Sequence, residues 1–254
     1  MNLYFELLKT PVFSVDDVNK FYNNINSARS AIKRLMKENM VAKIRNNRYT
    51  CISGETGQLV ANRFQIACSI TPTAYISHHT AMEYYGITDQ VFYEVYVSSE
   101  TSFRDFEFDG YTYRYVVSKG NDEIDTPAFS GGIRVTTPER TMIDSIKDMD
   151  KIAGIEEVIQ DISCMNKLRE KRLLSYLEHL SNQFLYQKTG FLLSEQKEQL
   201  GLSDDFFKEC QQKIGKSKRY LSKELADGVY DAQWKLVVPK YLSVKNGVME
   251  DDSI

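Results

Sequence analysis

Residues 26–48 read NSARSAIKRLMKENMVAKIRNNR and hold seven Lys or Arg against a single acid, Glu38, in a chain of formal net charge −3. In the first half of this stretch Ala28, Ile32, Leu35 and Met36 share one face at helical spacing, while Arg29, Lys33 and Lys37 recur every fourth residue on another. The pattern predicts an amphipathic helix, basic on one side, capped by Ser27 or Asn26 and running to about Asn39. In the second half VAKIR and RYTCI are two short β-rich runs on either side of Asn46 and Asn47. Asparagine tolerates the positive φ of a tight turn, so a hairpin is expected there.

Working outward, NLYFELLK (2–9) predicts a short helix that ends before Pro11. FSVDDVNKFY (13–22) predicts a second, with Ser14 and Asp17 at capping-box spacing and Val15, Val18 and Phe21 on its apolar face. Three helices, the third basic, followed by a hairpin, is the order of a winged helix-turn-helix. A helix fits the major groove of a duplex, its basic flank meets phosphates, and a hairpin tip reaches the neighbouring backbone or minor groove. The expected DNA contacts are therefore Arg29, Ser30, Lys33, Arg34 and Lys37 on the helix and Arg45, Asn46, Asn47 and Arg48 in the wing. Two blander readings stand beside this one: a charge run as a solvated face, and a winged helix that binds protein.

The rest of the chain has the opposite charge. Residues 1–50 carry nine Lys or Arg and four acids, a balance of +5, which leaves −8 for residues 51–254. A negative body repels a polyanion that the N-terminal module attracts, so any duplex-binding face is expected on that module. At 254 residues with 42% hydrophobic content the chain has material for substantial cores, and 13 Gly and 5 Pro leave no low-complexity segment. The apolar stretch LYFELL contains Glu6 and lacks a basic leader, and no run approaches the roughly 20 apolar residues of a membrane span. A cytoplasmic protein without membrane attachment is expected. Cys51, Cys68, Cys164 and Cys210 are scattered with no CxxC pair, which points to reduced thiols rather than disulfides or a zinc knuckle.

The fold class read from these patterns is α+β, with an N-terminal winged helix-turn-helix domain (1–53), a linker with two glycines (54–62) and a larger mixed α/β domain (63–254). In that larger domain NRFQIACSI reads as a helix, AYISHHTAMEYYGI as a strand end running into a helix stopped by Gly86, and VFYEVYVSS as a strand. FEFDGYTYRYVV reads as a hairpin around Asp109 and Gly110, GGIRVTT as a strand, and PERTMIDSIKDM as a helix opened by Pro138. From about residue 155 the pattern is helical, and from about 217 a tail carries the single Trp and VVPKYL.

Three stretches taken together, YISHHTAMEYYGI (75–87), IRVTTPERTMIDSI (133–146) and YQKTGFLLSE (186–195), behind this N-terminal pattern, resemble the AbiEi family of antitoxins from bacterial abortive-infection, type IV toxin-antitoxin systems. The resemblance reaches to about residue 200. It implies a transcriptional autorepressor that binds inverted repeats in the promoter of its own operon, with a C-terminal domain that counteracts a nucleotidyltransferase toxin without a stable complex. Inverted repeats in turn imply homo-association on DNA.

Other clusters read as structural. His78 and His79 are adjacent, and His179 is distant with no carboxylate at ligand spacing, so helix capping or packing is expected and no metal. In TPERTMID, Thr137 suits a cap, Pro138 a first helical position, and Arg140 lies one turn before Asp144, where an ion pair clamps the helix to the sheet. A metal-dependent nuclease needs converging carboxylates with a lysine beside them; Asp89 and Glu94 have a tempting spacing, but Tyr96 stands where the lysine belongs. No phosphate-binding glycine loop or local triad is present, so no catalytic residues, cofactor or enzyme activity are expected. Lys213, Lys216, Lys218 and Arg219 form a second basic group, either an extension of the DNA contact or a helix end where cations meet the negative dipole terminus.

Overall fold

Among the described residues runs of helices and groups of strands follow one another along the chain, which makes its class α+β. The structure is a computed structural model that describes residues 2–88, 90–118, 120, 122–152, 154–223 and 227–243. Two compact units form, Met1–Thr80 with Val91–Val135, and Ala81–Gln90 with Thr136–Ile254.

The first unit begins with α1 (Leu3–Leu7), α2 (Val15–Asn19), α3 (Ile25–Lys37) and a hairpin of β1 (Val41–Arg45) and β2 (Arg48–Cys51). Ser14 and Asp17 form the capping box of α2, each side chain accepting from the other's backbone N–H. Phe13 exchanges two 2.9 Å backbone hydrogen bonds with Tyr49 and so lays a one-residue bridge beside the hairpin. Leu3, Leu7, Phe13, Val18, Ala28, Ile32, Leu35, Val41 and Cys51 meet in one core. Each large apolar side chain so buried contributes about 1.5–3 kcal/mol, and this burial, rather than intrinsic propensity, holds five-residue helices.

The chain continues with α4 (Arg63–Ser69), β3 (Tyr75–Ile76), α5 (His78–Tyr85), which passes into the second unit at Ala81, then β4 (Glu94–Ser99), β5 (Phe106–Phe108), β6 (Tyr111–Val117), β7 (Ile124–Asp125) and β8 (Val135–Thr136), at which the first unit ends. Six strands make one mixed sheet in the order β5-β6-β4-β3-β8-β7. Asp109 and Gly110, with φ of 52° and 77°, turn the β5–β6 hairpin, as their type predicts. β4 and β6 run parallel over six residue pairs, from Glu94–Thr112 to Ser99–Val117.

The domain boundaries read from the sequence do not follow these units. Residues 54–62, read as a linker, fold back on the hairpin: Leu59 bridges Ile52, Val60 N donates to Cys51 O, and Ala61 N donates to Thr50 Oγ1. The glycine-containing turn satisfies its own backbone against β2, so it extends the hairpin instead of separating two bodies. The division falls instead within α5 and at β8, and strands β3–β7 share a compact unit with the N-terminal helices.

The second unit holds α6 (Pro138–Asp148), α7 (Gly154–Cys164), α8 (Glu170–Leu180), α9 (Gln183–Ser194), α10 (Lys197–Leu200), α11 (Asp204–Lys213), β9 (Arg219–Tyr220), β10 (Gly228–Asp231), β11 (Leu236–Pro239) and α12 (Lys240–Ser243). The segment read as a tail is a three-stranded sheet, β10-β11-β9, whose Leu236 and Val238 join Trp234 and Leu242 in the core. Gly190 on α9 is required by this packing. A Cβ there would lie 2.1 Å from the Trp234 ring. Among the described residues no helix is long and apolar enough to cross a membrane.

Candidate nucleic-acid interface

The start of α3 is set by Asn24, whose Oδ1 accepts from the backbone N–H groups of Asn26 and Ser27 at 2.9 and 3.1 Å. The helix is thus capped two residues before Asn26 and three before Ser27, the expected caps, because an extended Asn24 satisfies two orphan amides at once. Ala28, Ala31, Ile32 and Leu35 are buried and fix the rotation of the helix. That rotation leaves Arg29, Ser30, Lys33, Arg34 and Lys37 exposed. None of the four cations takes part in an ion pair among the described residues.

An open groove of about 570 Å³ separates α3 from the hairpin. Val15, Ile25, Ile32, Met36 and Tyr49 give it an apolar lining, and Arg29, Lys33, Lys43 and Asn46 are exposed along it, with Asp16. Lys43 was not among the residues singled out from sequence. Strand alternation would not have found it, since Val41, Lys43 and Arg45 share one face by period and yet are buried, exposed and half-buried, with a register shift between Lys43 and Arg45.

Three of the four expected wing residues, Arg45, Asn47 and Arg48, are half-buried and engaged within the chain. Arg45 and Arg48 face each other across the turn, and two like charges so placed repel unless they diverge. Arg45 turns onto aromatic rings, with its guanidinium carbon 4.9 Å from the centre of Phe106 and 5.5 Å from that of Phe103. Burial, and then the Arg48 charge, lower its pKa from the ordinary arginine value. Arg48 donates through Nε to the Ser69 carbonyl and through Nη1 to the Asn47 carbonyl. Asn47 has a left-handed φ of 55°, and its Oδ1 accepts from Val15 N at 2.9 Å, which pins the turn to the start of α2. Asn46 alone of the four is exposed. The hairpin therefore lines the groove with Lys43, Asn46, Asn47 and Tyr49, of which Lys43 and Asn46 are exposed, while Asn47 and the two arginines also hold it in place.

No family model matches the chain, and no curated protein matches it. A solved structure does. It is the crystal structure of the RV2827C protein from Mycobacterium tuberculosis, with a TM-score of 0.63 over 92% of this chain and 89% of that one, at 13% sequence identity. The likeness is one of fold.

The remaining residues singled out from sequence fall elsewhere. Lys213, Lys216, Lys218 and Arg219 lie exposed in the second unit, Lys213 at the end of α11, Arg219 on β9 and the other two in the connection between them. Lys213 pairs with Glu178 at 3.5 Å, Lys218 stands over the rings of Tyr220 and Tyr230, and Arg219 over that of Phe184. His78 and His79 are buried at the start of α5; the His79 ring stacks on Phe92 at 3.9 Å and its Nε2 lies 3.1 Å from the Glu94 carbonyl oxygen. The Glu94 carboxylate receives Arg114 at 2.6 Å and the Tyr96 hydroxyl at 3.1 Å, while Asp89 lies outside the described residues. Among the described residues no cluster of three or more His, Cys, Asp or Glu can hold a metal ion.

In the second unit Arg140 Nε meets Asp144 at 3.1 Å with both side chains buried. Asp144 also accepts from Lys147 at 2.6 Å and from the Tyr176 hydroxyl at 3.0 Å, and the Arg140 guanidinium covers the Tyr176 ring. Glu139 receives the backbone N–H and Nε of Arg169, both at 3.0 Å. Tyr176 lies on α8 and Arg169 is its N-cap residue, so these contacts join α6 to α8.

Proposed function

We propose that this chain is a promoter-binding antitoxin of the AbiEi kind, with residues 1–53 acting as a winged helix-turn-helix. It binds inverted repeats in double-stranded DNA, represses its own operon from the cytoplasm, and counteracts a nucleotidyltransferase toxin without forming a stable complex. It is not an enzyme and uses no cofactor. The observation that carries this reading is one of placement. Arg29, Lys33, Arg34, Lys37 and Lys43 are exposed on α3 and β1 without an acidic partner among the described residues, in a chain that is otherwise negative. Phosphate contacts from these cations fix the register of the protein, α3 enters the major groove, and occupancy blocks polymerase. Two copies on two half-sites account for homo-association.

Each phosphate neutralised contributes about −0.9 to the slope of log affinity against log salt. Gel shifts of the promoter across a salt series test the reading with the unmodified chain and with Lys33→Glu/Lys37→Glu. The double variant loses retention while its circular dichroism stays unchanged; an undiminished affinity at moderate salt overturns the reading. A nucleotidyltransferase in the adjacent reading frame would support the toxin assignment.

A second reading draws on the apolar lining of the groove, Val15, Ile25, Ile32 and Met36. Such a lining also suits a protein or RNA partner, with the α+β body as a scaffold. Its binding would lack the steep fall with salt. A DNA-directed nuclease ranks third, since Glu94 is held by Arg114 and Tyr96.

A further inference from the structure

Three asparagines precede or open α3, and they have different tasks. Asn23 takes a left-handed φ of 53° in the turn, and Asn24 caps the helix. Asn26 does neither: its backbone N–H is bound by Asn24, while its side chain is exposed and has no hydrogen-bond partner among the described residues.

The rotation of α3 gives this side chain a direction. With Ala28, Ala31, Ile32 and Leu35 in the core, a turn of about 100° per residue puts Asn26, Ser30, Lys33 and Lys37 on the ridge opposite. Arg29 leans towards the hairpin, where it lines the groove with Lys43, and Arg34 lies on the other flank. At about 1.5 Å per residue, the run from Asn26 to Lys33 spans roughly 10 Å, inside a major groove about 12 Å wide. Lys37 falls one turn further along, level with the backbone. Lysine and arginine on the flanks suit any sequence of phosphates. A carboxamide is different: its donor and acceptor lie side by side in one plane and match the N6 and N7 edge of adenine.

From this geometry we infer that Asn26 is a specificity-determining residue, reading an adenine in each half-site through the major groove. The inference rests on the duplex-binding reading above and deepens it. Because the amide is neutral, its loss changes sequence preference without changing the number of phosphates neutralised. Alanine is the better helix former, so Asn26→Ala retains the fold.

The test uses the full chain, first against a library of randomised duplexes and then against single-base variants of the selected site, at several salt concentrations. The unmodified protein prefers adenine at one position of each half-site by about 5- to 150-fold, the range of a good bidentate contact. Asn26→Ala brings that preference below about twofold at this position alone, with the other positions and the salt slope unchanged. Lys33→Ala, in contrast, reduces the slope by about 0.9 per protomer. Discrimination that survives Asn26→Ala, or that falls equally at every position, overturns the readout assignment and leaves the duplex-binding reading standing. Absence of any salt-dependent duplex binding by the unmodified chain overturns the parent reading and this inference with it.

Discussion

Arg45→Ala distinguishes a hairpin held by its arginines from one that offers them to DNA. The Arg45 guanidinium lies over two rings, 4.9 Å from Phe106 and 5.5 Å from Phe103. A cation over an aromatic face contributes about 0.5–2 kcal/mol, rising as water is excluded. The aliphatic stem adds about 0.8 kcal/mol for each methylene it covers. Against this, Nη1 is buried without a hydrogen-bond partner among the described residues, at a cost of about 1 kcal/mol. The difference is a loss of about 1–2 kcal/mol in the alanine variant. In a chain of this size that corresponds to a fall in Tm of roughly 3–6 °C. Urea unfolding gives the free energy directly, and a double-mutant cycle with Phe106→Leu isolates the ring contact, which should couple by about 0.5–1 kcal/mol. In the promoter-binding assay the salt slope of Arg45→Ala should match that of the unmodified chain, whereas Lys43→Ala should reduce it by about 0.9. If Arg45→Ala leaves stability unchanged and takes about 0.9 from the slope, the inward reading of this residue is wrong.

Gly190→Ala forces a methyl group to within 2.1 Å of the Trp234 ring. Overpacking costs about 1–3 kcal/mol beyond the roughly 1 kcal/mol that alanine returns to a helix, so the variant is destabilised and the emission of this single tryptophan shifts to the red. Asp144→Asn removes the carboxylate charge that buried Arg140 and Lys147 share, and breaking a buried pair of this kind is expected to cost about 3–5 kcal/mol in urea unfolding. Burial alone would raise the Glu139 carboxyl, but the Arg169 hydrogen bonds and charge outweigh it and hold the pKa below the ordinary 4.5. A depressed carboxyl stabilises the fold above its unfolded pKa and loses that contribution as pH falls through the folded value. Unfolding midpoints measured from pH 6 downwards should therefore fall more steeply below about 4.5 in the unmodified chain than in Glu139→Gln. Cys51 and Cys210 are fully buried, and burial pushes their thiols up to about 11 and 12, so both should react slowly with a thiol reagent at pH 8 in the native chain and fast once it is unfolded in urea. Rapid labelling of either in the native chain would contradict their placement.

Local chemistry was legible in the sequence where neighbours along the chain decide it. Ser14 with Asp17, the amphipathic run 28–36, Asn46-Asn47, Asp109-Gly110 and Thr137-Pro138 each predict an element that forms within a few residues of the expected limits, because caps, turns and helical faces depend on contacts a turn or less away. The same reasoning determined that α3 would be basic on its exposed side, since burying four apolar positions leaves the lysines and arginines nowhere else to point. Tertiary structure decided what no local pattern contains. Arg45 and Arg48 have the same spacing logic as Lys43, yet the partners that engage them, Phe103, Phe106 and Ser69, lie 21 or more residues away. Gly190 reads as an ordinary helical glycine until Trp234, distant in sequence, is laid against it. The glycine turns at 54–62 suggest a linker until β2 takes up their backbone groups. Periodicity sets which side of an element faces out; which exposed charge stays in water and which closes on a ring or a carbonyl is settled by long-range packing, where desolvation and partner geometry outweigh residue type.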